Sequence, residues 1–316
     1  MLDSPKDLKR QRRRERLIAR VVWPTARAVI LFGICFLLLY PLLYMFVSAF
    51  RAREDLYNPS VIWITRHWTL EHMKTLTELI DYPRTLLNTV SISVGSALLQ
   101  TFVCALAGYG FARFRFRGKG LLFALAVFTI IVPQYAIVNS LFMTFRFFHI
   151  PLYSLFGGTV NLINTPMAFW MQALLGMGLR SGLFIFIYRQ FFRGMPAELE
   201  NAALIDGCNP WQTYFRVMLP NAVMVMVTVF MFSLVWHWND TYTTGILAPK
   251  LKTLSTAIAD LKIEVFRLKD GGDTNPMLNQ VRMQAGALLS IAPMLLVFLF
   301  GQKTFTESVE RTGIVG

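Results

Sequence analysis

Charge is scarce in this sequence. Asp, Glu, Lys and Arg together make up 16% of its 316 residues, against about 25% in ordinary globular proteins. A soluble domain of this length would need more charge to cover its surface, so that class is excluded. Cysteine is scarce as well. Cys35, Cys104 and Cys208 offer neither a disulfide framework nor a metal-ligand spacing, and they read as small apolar packing residues. The glycine-rich phosphate loop ending in Gly-Lys-Ser/Thr is missing, so the chain has no nucleotide cradle of its own. A nucleophile elbow, a paired zinc-ligand helix and a Ser/His/Asp set are missing too. By itself the chain is predicted not to be an enzyme.

What is present is apolar. Hydrophobic residues make up 55% of the chain and the mean hydropathy is +0.48. Six segments nearly or wholly free of formal charge stand out: Ala28 to Phe50, Thr85 to Ala112, Gly120 to Phe145, a fourth between Phe147 and Tyr188, Val217 to Asn239, and Met283 to Gln302. About 20 apolar residues cross a bilayer core as a helix, and five of the six are simple runs of that length. The fourth carries Arg180 and several glycines; its span is predicted from about Pro166 to Tyr188. The first run follows a basic stretch as a signal peptide would. At 23 residues it is too long for a signal core and lacks a small-residue cleavage site, so it is predicted to remain as a span.

The predicted fold is therefore an all-α integral membrane protein of six transmembrane helices. Residues 1–27 form a basic arm and residues 28–316 the membrane domain. With the N-terminus inside, cytoplasmic pieces hold 18 Lys and Arg and the longer external pieces 12, which places both termini in the cytoplasm by the positive-inside rule. The short loop Arg113-Phe-Arg115-Phe-Arg117-Gly-Lys119 is the sharpest such mark. The net charge of +13 would suit nucleic acid, but the cations crowd the arm without interleaved aromatics. Anionic lipid headgroups are the expected partner and nucleic acid is not. The external stretches 51–84 and 241–282 look folded, the second with a turn around Asp270-Gly271-Gly272-Asp273.

Between spans four and five, about 193–219, two short helices are predicted. Pro196 suits a first turn, and Glu198 and Glu200 complement the positive helix start. Leu199, Ala202 and Ala203 share one face. Asp206-Gly207 stops the helix, glycine being free to take a left-handed cap. Asn209 then caps a second helix with Pro210 at its first position, and Trp211 and Phe215 form its apolar face. Such a knob suits force transmission from another protein. An interfacial amphipathic connector would have the same pattern.

Residues 196–220, Pro-Ala-Glu-Leu-Glu-Asn-Ala-Ala-Leu-Ile-Asp-Gly-Cys and onward to Phe-Arg-Val-Met-Leu-Pro, resemble the EAA loop of type I ABC importer permeases. Ala202, Ala203, Asp206, Gly207, Phe215, Leu219 and Pro220 fall at the expected spacing. Asn201 stands where that family usually has glutamate, so an ion pair made there becomes at most a neutral hydrogen bond, with Glu198 or Glu200 to compensate. Ala105 to Lys119, Ile185 to Phe192 and Trp238-Asn239-Asp240 are similar to the carbohydrate branch, the smaller permease of maltose-type importers. Stretch 241–282 is longer than usual, as in the branch handling plant or algal polysaccharide fragments. The resemblance covers roughly residues 26–316. It implies alternating access, a heterodimer with a second permease, two cytoplasmic ATPases that bind ATP and Mg, an extracytoplasmic binding protein, and a bacterial inner-membrane location.

A solute path is expected near Trp236, Trp238, Asn239 and Asp240, since aromatic faces stack on sugar rings while Asn and Asp bond hydroxyls. Tryptophan at a membrane interface would explain the same cluster. Arg180 either lines the cavity or snorkels toward the cytoplasm. His237 reads as a gate or packing residue, and Gly108 and Gly110 as close helix packing. Rival readings are the same importer class with a non-sugar solute, an ATP-independent channel, and an intramembrane enzyme.

Overall fold

The computed structural model describes residues 18–58, 63–149, 158–268 and 275–313, with side chains from Arg20 to Gln302. Among these residues the chain is helical apart from two isolated bridges, Arg51 to Trp68 and Phe148 to Val160. Three helices are long and apolar enough to cross a membrane: α1 (Trp23–Ala49), α3 (Tyr82–Arg113) and α13 (Pro276–Gly313). A pair, α9 (Pro210–Asn221) and α10 (Val223–Asn239), is long and apolar enough only when taken together and is bent by 76°. The predicted turn at 270–273 lies outside the described residues.

Runs three and four are not single helices. The third is divided into α4 (Lys119–Phe128) and α5 (Gln134–Arg146) around Pro133, whose ring removes a backbone donor and stops regular α-helix there. The fourth is α6 (Met167–Leu174) and α7 (Ser181–Gly194). Between them Gly176 has φ +70° and Arg180 φ +59°, and two left-handed residues cannot continue a right-handed helix. Helix α7 also runs past Tyr188, the predicted end, to Gly194.

The central packing is α3 against α7 and α10. Cys104, Ala105, Tyr109, Phe184, Tyr188, Phe192, Val225 and Val229 form its core, joined by Tyr214, Met218 and Ala222. Gly108 makes the close approach possible, because a Cβ there would strike Tyr188. Gly110 has only the Phe114 ring nearby, at 3.9 Å, so the expected packing role belongs to Gly108 alone of the pair. Helix α1 packs on α13 and leaves Phe32, Leu37 and Leu38 more than 70% exposed. So large an apolar face belongs to lipid or to another membrane subunit.

One end of the bundle carries a cap made of α2 (Glu71–Leu79), α11 (Tyr242–Leu247) and α12 (Leu254–Arg267). Leu76, Leu254, Leu261 and Val265 pack there on Ala49, Trp238 and Ala285. Its entry loop turns on Asp55, a buried carboxylate that accepts from Thr65 Oγ1 and from the backbone N–H groups of Arg66 and His67, each at 2.8 Å.

Candidate functional site

At the other end of α7 the chain makes the two predicted short helices, α8 (Ala197–Ile205) and the first part of α9. Gly207, at φ +84°, closes α8. The N–H groups of Asp206, Gly207 and Cys208 donate to Ala202, Leu204 and Ala203 carbonyls at 2.9, 3.1 and 3.0 Å, so the last carbonyls of α8 are satisfied as a left-handed cap requires. Asn209 then caps α9 in a reciprocal box with Gln212, both bonds 2.9 Å, and Pro210 follows at the first position.

Polar contacts tie the corner to the bundle around Glu200. Glu200 accepts a 2.7 Å hydrogen bond from Tyr109 Oη and lies 3.4 Å from Arg113 Nε. Arg113 also donates to the Met195 carbonyl at 2.6 Å. Tyr109 and Arg113 are four apart on α3, hence on one helix face. Their pairing with Glu200 was not read from sequence; the i, i+4 spacing of a Tyr and an Arg at a span's end was the available signal. Asn201 is exposed, and the ion pair of this corner belongs to Glu200.

Of the other residues singled out, Ala203 is buried while Glu198, Ala202, Asp206, Phe215 and Pro220 are exposed. Leu199 and Ala202 thus do not share Ala203's burial. Trp211 and Phe215, the expected apolar face of the second helix, stack on each other, and that face lies in the open, 62% and 55% exposed. Tyr214 and Met218 face the core instead. A π-turn at Tyr214–Met218 shifts the helical phase and turns this second pair inward. The corner therefore presents Leu204, Ile205, Trp211 and Phe215 outward, with Ile205 85% exposed.

The two broken segments meet elsewhere. A Cβ on Gly182 would strike the Ala126 carbonyl and Thr129 Oγ1, so α7 begins directly against the end of α4. Beside this contact lies an open cavity of about 520 Å³, lined by Thr129 to Tyr135, Gly176 to Gly178, Arg180, Ser181, Asp240 and Tyr242. The Arg180 guanidinium sits 5.8 Å over the Trp236 ring, and Trp236 stacks on Phe184 at 5.3 Å. Tyr135 and Tyr242 meet edge to face at 4.2 Å. Asp240 accepts from Thr243 N and Thr244 Oγ1 at 3.1 and 3.2 Å, at the start of α11.

Two of the expected path residues lie apart from this cavity. Trp238 is buried in the cap cluster, its Nε1 donating to the Ser290 carbonyl at 3.4 Å. Asn239 donates to the Val235 carbonyl one turn back and lines a separate groove against α13. Trp238 follows Trp236 by two positions, which on a helix turns it to another face, and the Asn239 amide is held back along α10 by its bond to Val235. His237 is buried and takes part in a network the sequence did not disclose. Gln100 on α3 donates to the Leu179 carbonyl and Ser181 Oγ at 2.7 Å each, accepts from Ser233 Oγ, and lies 3.3 Å from His237 Nε2.

Residues 101–305 match the model of one protein family, described as the binding-protein-dependent transport system inner membrane component. The chain belongs to that family. As a member it is a membrane component of a transport system, and the loop and cavity lie inside the matched range. It is 28% identical over 291 residues to the probable ABC transporter permease protein YurM of Bacillus subtilis, covering 91% of this chain and 87% of that one. It is 25% identical over 297 residues to the diacetylchitobiose uptake system permease protein DasC of Streptomyces coelicolor, covering 93% and 97%. Among solved structures, a bacterial ABC transporter involved in import of the acidic polysaccharide alginate superposes with TM-score 0.70 at 18% identity, covering 96% of this chain and 99% of that one. That likeness concerns the fold, a type I ABC permease fold.

Proposed function

We propose that the chain is the transmembrane permease subunit of an ATP-driven sugar or oligosaccharide importer of the bacterial cytoplasmic membrane. Sugar as the solute is supported by the uptake system of the relative DasC and by the span-two and Trp238-Asn239-Asp240 motifs. Six crossings follow if α4 with α5, and α6 with α7, each traverse the bilayer as a broken span beside α1, α3, α9 with α10, and α13. The excess of Lys and Arg in the 1–27 arm and the 113–119 loop puts both termini and the α8–α9 corner inside. A second permease subunit covers the open apolar faces, an extracytoplasmic binding protein delivers solute, and two ATPase subunits bind ATP and Mg.

The observation that carries the reading is the α8–α9 corner: an apolar tip of Leu204, Ile205, Trp211 and Phe215, held to α3 through Glu200. In this reading the tip seats in the ATPase, and closure of the ATPase dimer pulls α7 and α10 through it. The spans then expose the solute cavity, lined by Arg180 and Asp240 with Trp236 beneath the guanidinium, to the outside. Nucleotide drives this through its different affinity for the two states. Gly207→Pro tests it. Proline fixes φ near about −65°, whereas Gly207 sits at +84° and its N–H bonds Leu204. The reconstituted complex should then hydrolyse ATP while solute uptake falls at least tenfold. Normal uptake by the variant contradicts the proposal.

A further inference from the structure

The cavity beside the two helix breaks holds one cation in an unusual setting. Arg180 takes a left-handed backbone, φ +59°, which a non-glycine residue keeps only when its surroundings over-determine it. Those surroundings are specific. Gln100, fully buried on α3, donates to the residue before Arg180 and the residue after it, and its own oxygen accepts from Ser233. A buried amide with its bonding capacity spent on both sides of one strained residue fixes where that residue's side chain starts.

The guanidinium itself is open to the cavity. Among the described residues it lies within ion-pair distance of no carboxylate, and its contact is the Trp236 face. Asp240 shares the cavity, but both its oxygens are taken by Thr243 and Thr244. The remaining polar lining, Thr129, Gln134, Tyr135, Ser181 and Tyr242, is neutral and suited to hydroxyls. A guanidinium facing a cavity with no carboxylate partner is free to bind an anion, and its planar fork matches a carboxylate better than any other side chain does. We infer that Arg180 is the anion-recognising residue of this cavity and that the solute is an acidic carbohydrate, a uronate-containing oligosaccharide. This rests on the sugar-importer reading above and narrows it. About 520 Å³ lies within the usual range for a small-ligand site.

The test uses the complete transmembrane complex with its ATPases in nanodiscs, without the binding protein, whose own selectivity would mask the cavity's. Binding of digalacturonate and of its uncharged dimethyl ester is measured by calorimetry, with and without a non-hydrolysable ATP analogue. The wild type should bind the diacid at least tenfold more tightly than the ester. Arg180→Gln should abolish that preference, and Arg180→Lys, which keeps the charge but loses the fork, should retain part of it. Retention by the lysine variant shows that the loss is not misfolding. Equal binding of diacid and ester by the wild type, or a preference that survives Arg180→Gln, overturns the inference. If neutral oligosaccharides alone bind, and drive ATP-dependent uptake into proteoliposomes supplied with the binding protein, the importer reading stands and this inference falls. If those proteoliposomes take up no sugar of either kind with ATP and the binding protein present, the importer reading itself falls.

Discussion

At the scale of single residues, Glu200 joins the two halves of the account. Its side chain and that of Arg113 are 19% and 13% exposed, so their interaction is screened less than a surface pair would be. Replacing Glu200 by glutamine keeps an acceptor for Tyr109 and removes the charge opposite Arg113. Leaving a partly buried guanidinium without its counter-charge costs on the order of 1–3 kcal/mol, here as loosened attachment of α8. The ratio of solute imported to ATP hydrolysed by the reconstituted complex should drop several-fold in Glu200→Gln. Combining it with Arg113→Gln should cost less than the sum of the two single changes, because each removes the same pair and only the Arg113 bond to Met195 is lost in addition; fully additive losses would show that the pair is not the link. The partners of this pair are 87 positions apart, so no local pattern could announce them. The cap next door was legible from local chemistry alone, since Gly207 and the Asn209-Pro210 pair each act within a few residues.

At the scale of elements, long runs and their breaks divide what could be read. Helices α1, α3 and α13 appear in sequence as uninterrupted apolar runs, and their positions were legible to within a few residues except that α13 starts earlier and extends further. The breaks within runs three and four were not legible. Pro133 or a glycine inside a span is compatible with a kink as well as a full interruption, and the left-handed Arg180 is held by Gln100 from another helix. Similarly, the burial of Tyr214 rather than Trp211 depends on a π-turn that periodicity at 3.6 residues does not anticipate.

The entry loop of the cap offers a pH test at this same scale. The backbone amide of His67, with Thr65, Arg66 and the His67 ring, holds the Asp55 carboxyl well below its ordinary value of 3.8. A depressed folded-state pKa contributes stability that is fully present above the unfolded value and is lost as pH falls through the folded one. Order in the loop, followed by hydrogen exchange of the Arg66 and His67 amides, should hold from neutral pH down to about 4 and weaken below it. Asp55→Asn should exchange faster at neutral pH and respond less to acid. Identical acid profiles for both would separate Asp55 from the stability of this loop.

At the scale of the whole molecule, the proposed solute cavity and the proposed ATPase contact are two separate regions of one packed bundle. Core helices α3, α7 and α10 join the Arg180 cavity to the α8–α9 corner through one continuous apolar cluster, from Phe184 beside Trp236 to Tyr214 beneath the corner. A packed core of this kind transmits displacement because it has little free volume to absorb it. Tyr109, which touches Phe192, Tyr214 and Glu200, sits where that cluster reaches the loop. The family match spans both regions, as expected if they act together.

The most direct measurement labels Ile205, the most exposed apolar residue of the corner at 85%. In Ile205→Cys, with Cys35 and Cys208 replaced by serine and the fully buried Cys104 retained, a membrane-impermeant thiol reagent is applied to right-side-out and inverted vesicles. Labelling in inverted vesicles only, suppressed when the ATPase subunits are bound, is the predicted result. Labelling from the outer face, or labelling unchanged by the ATPase, would contradict the account.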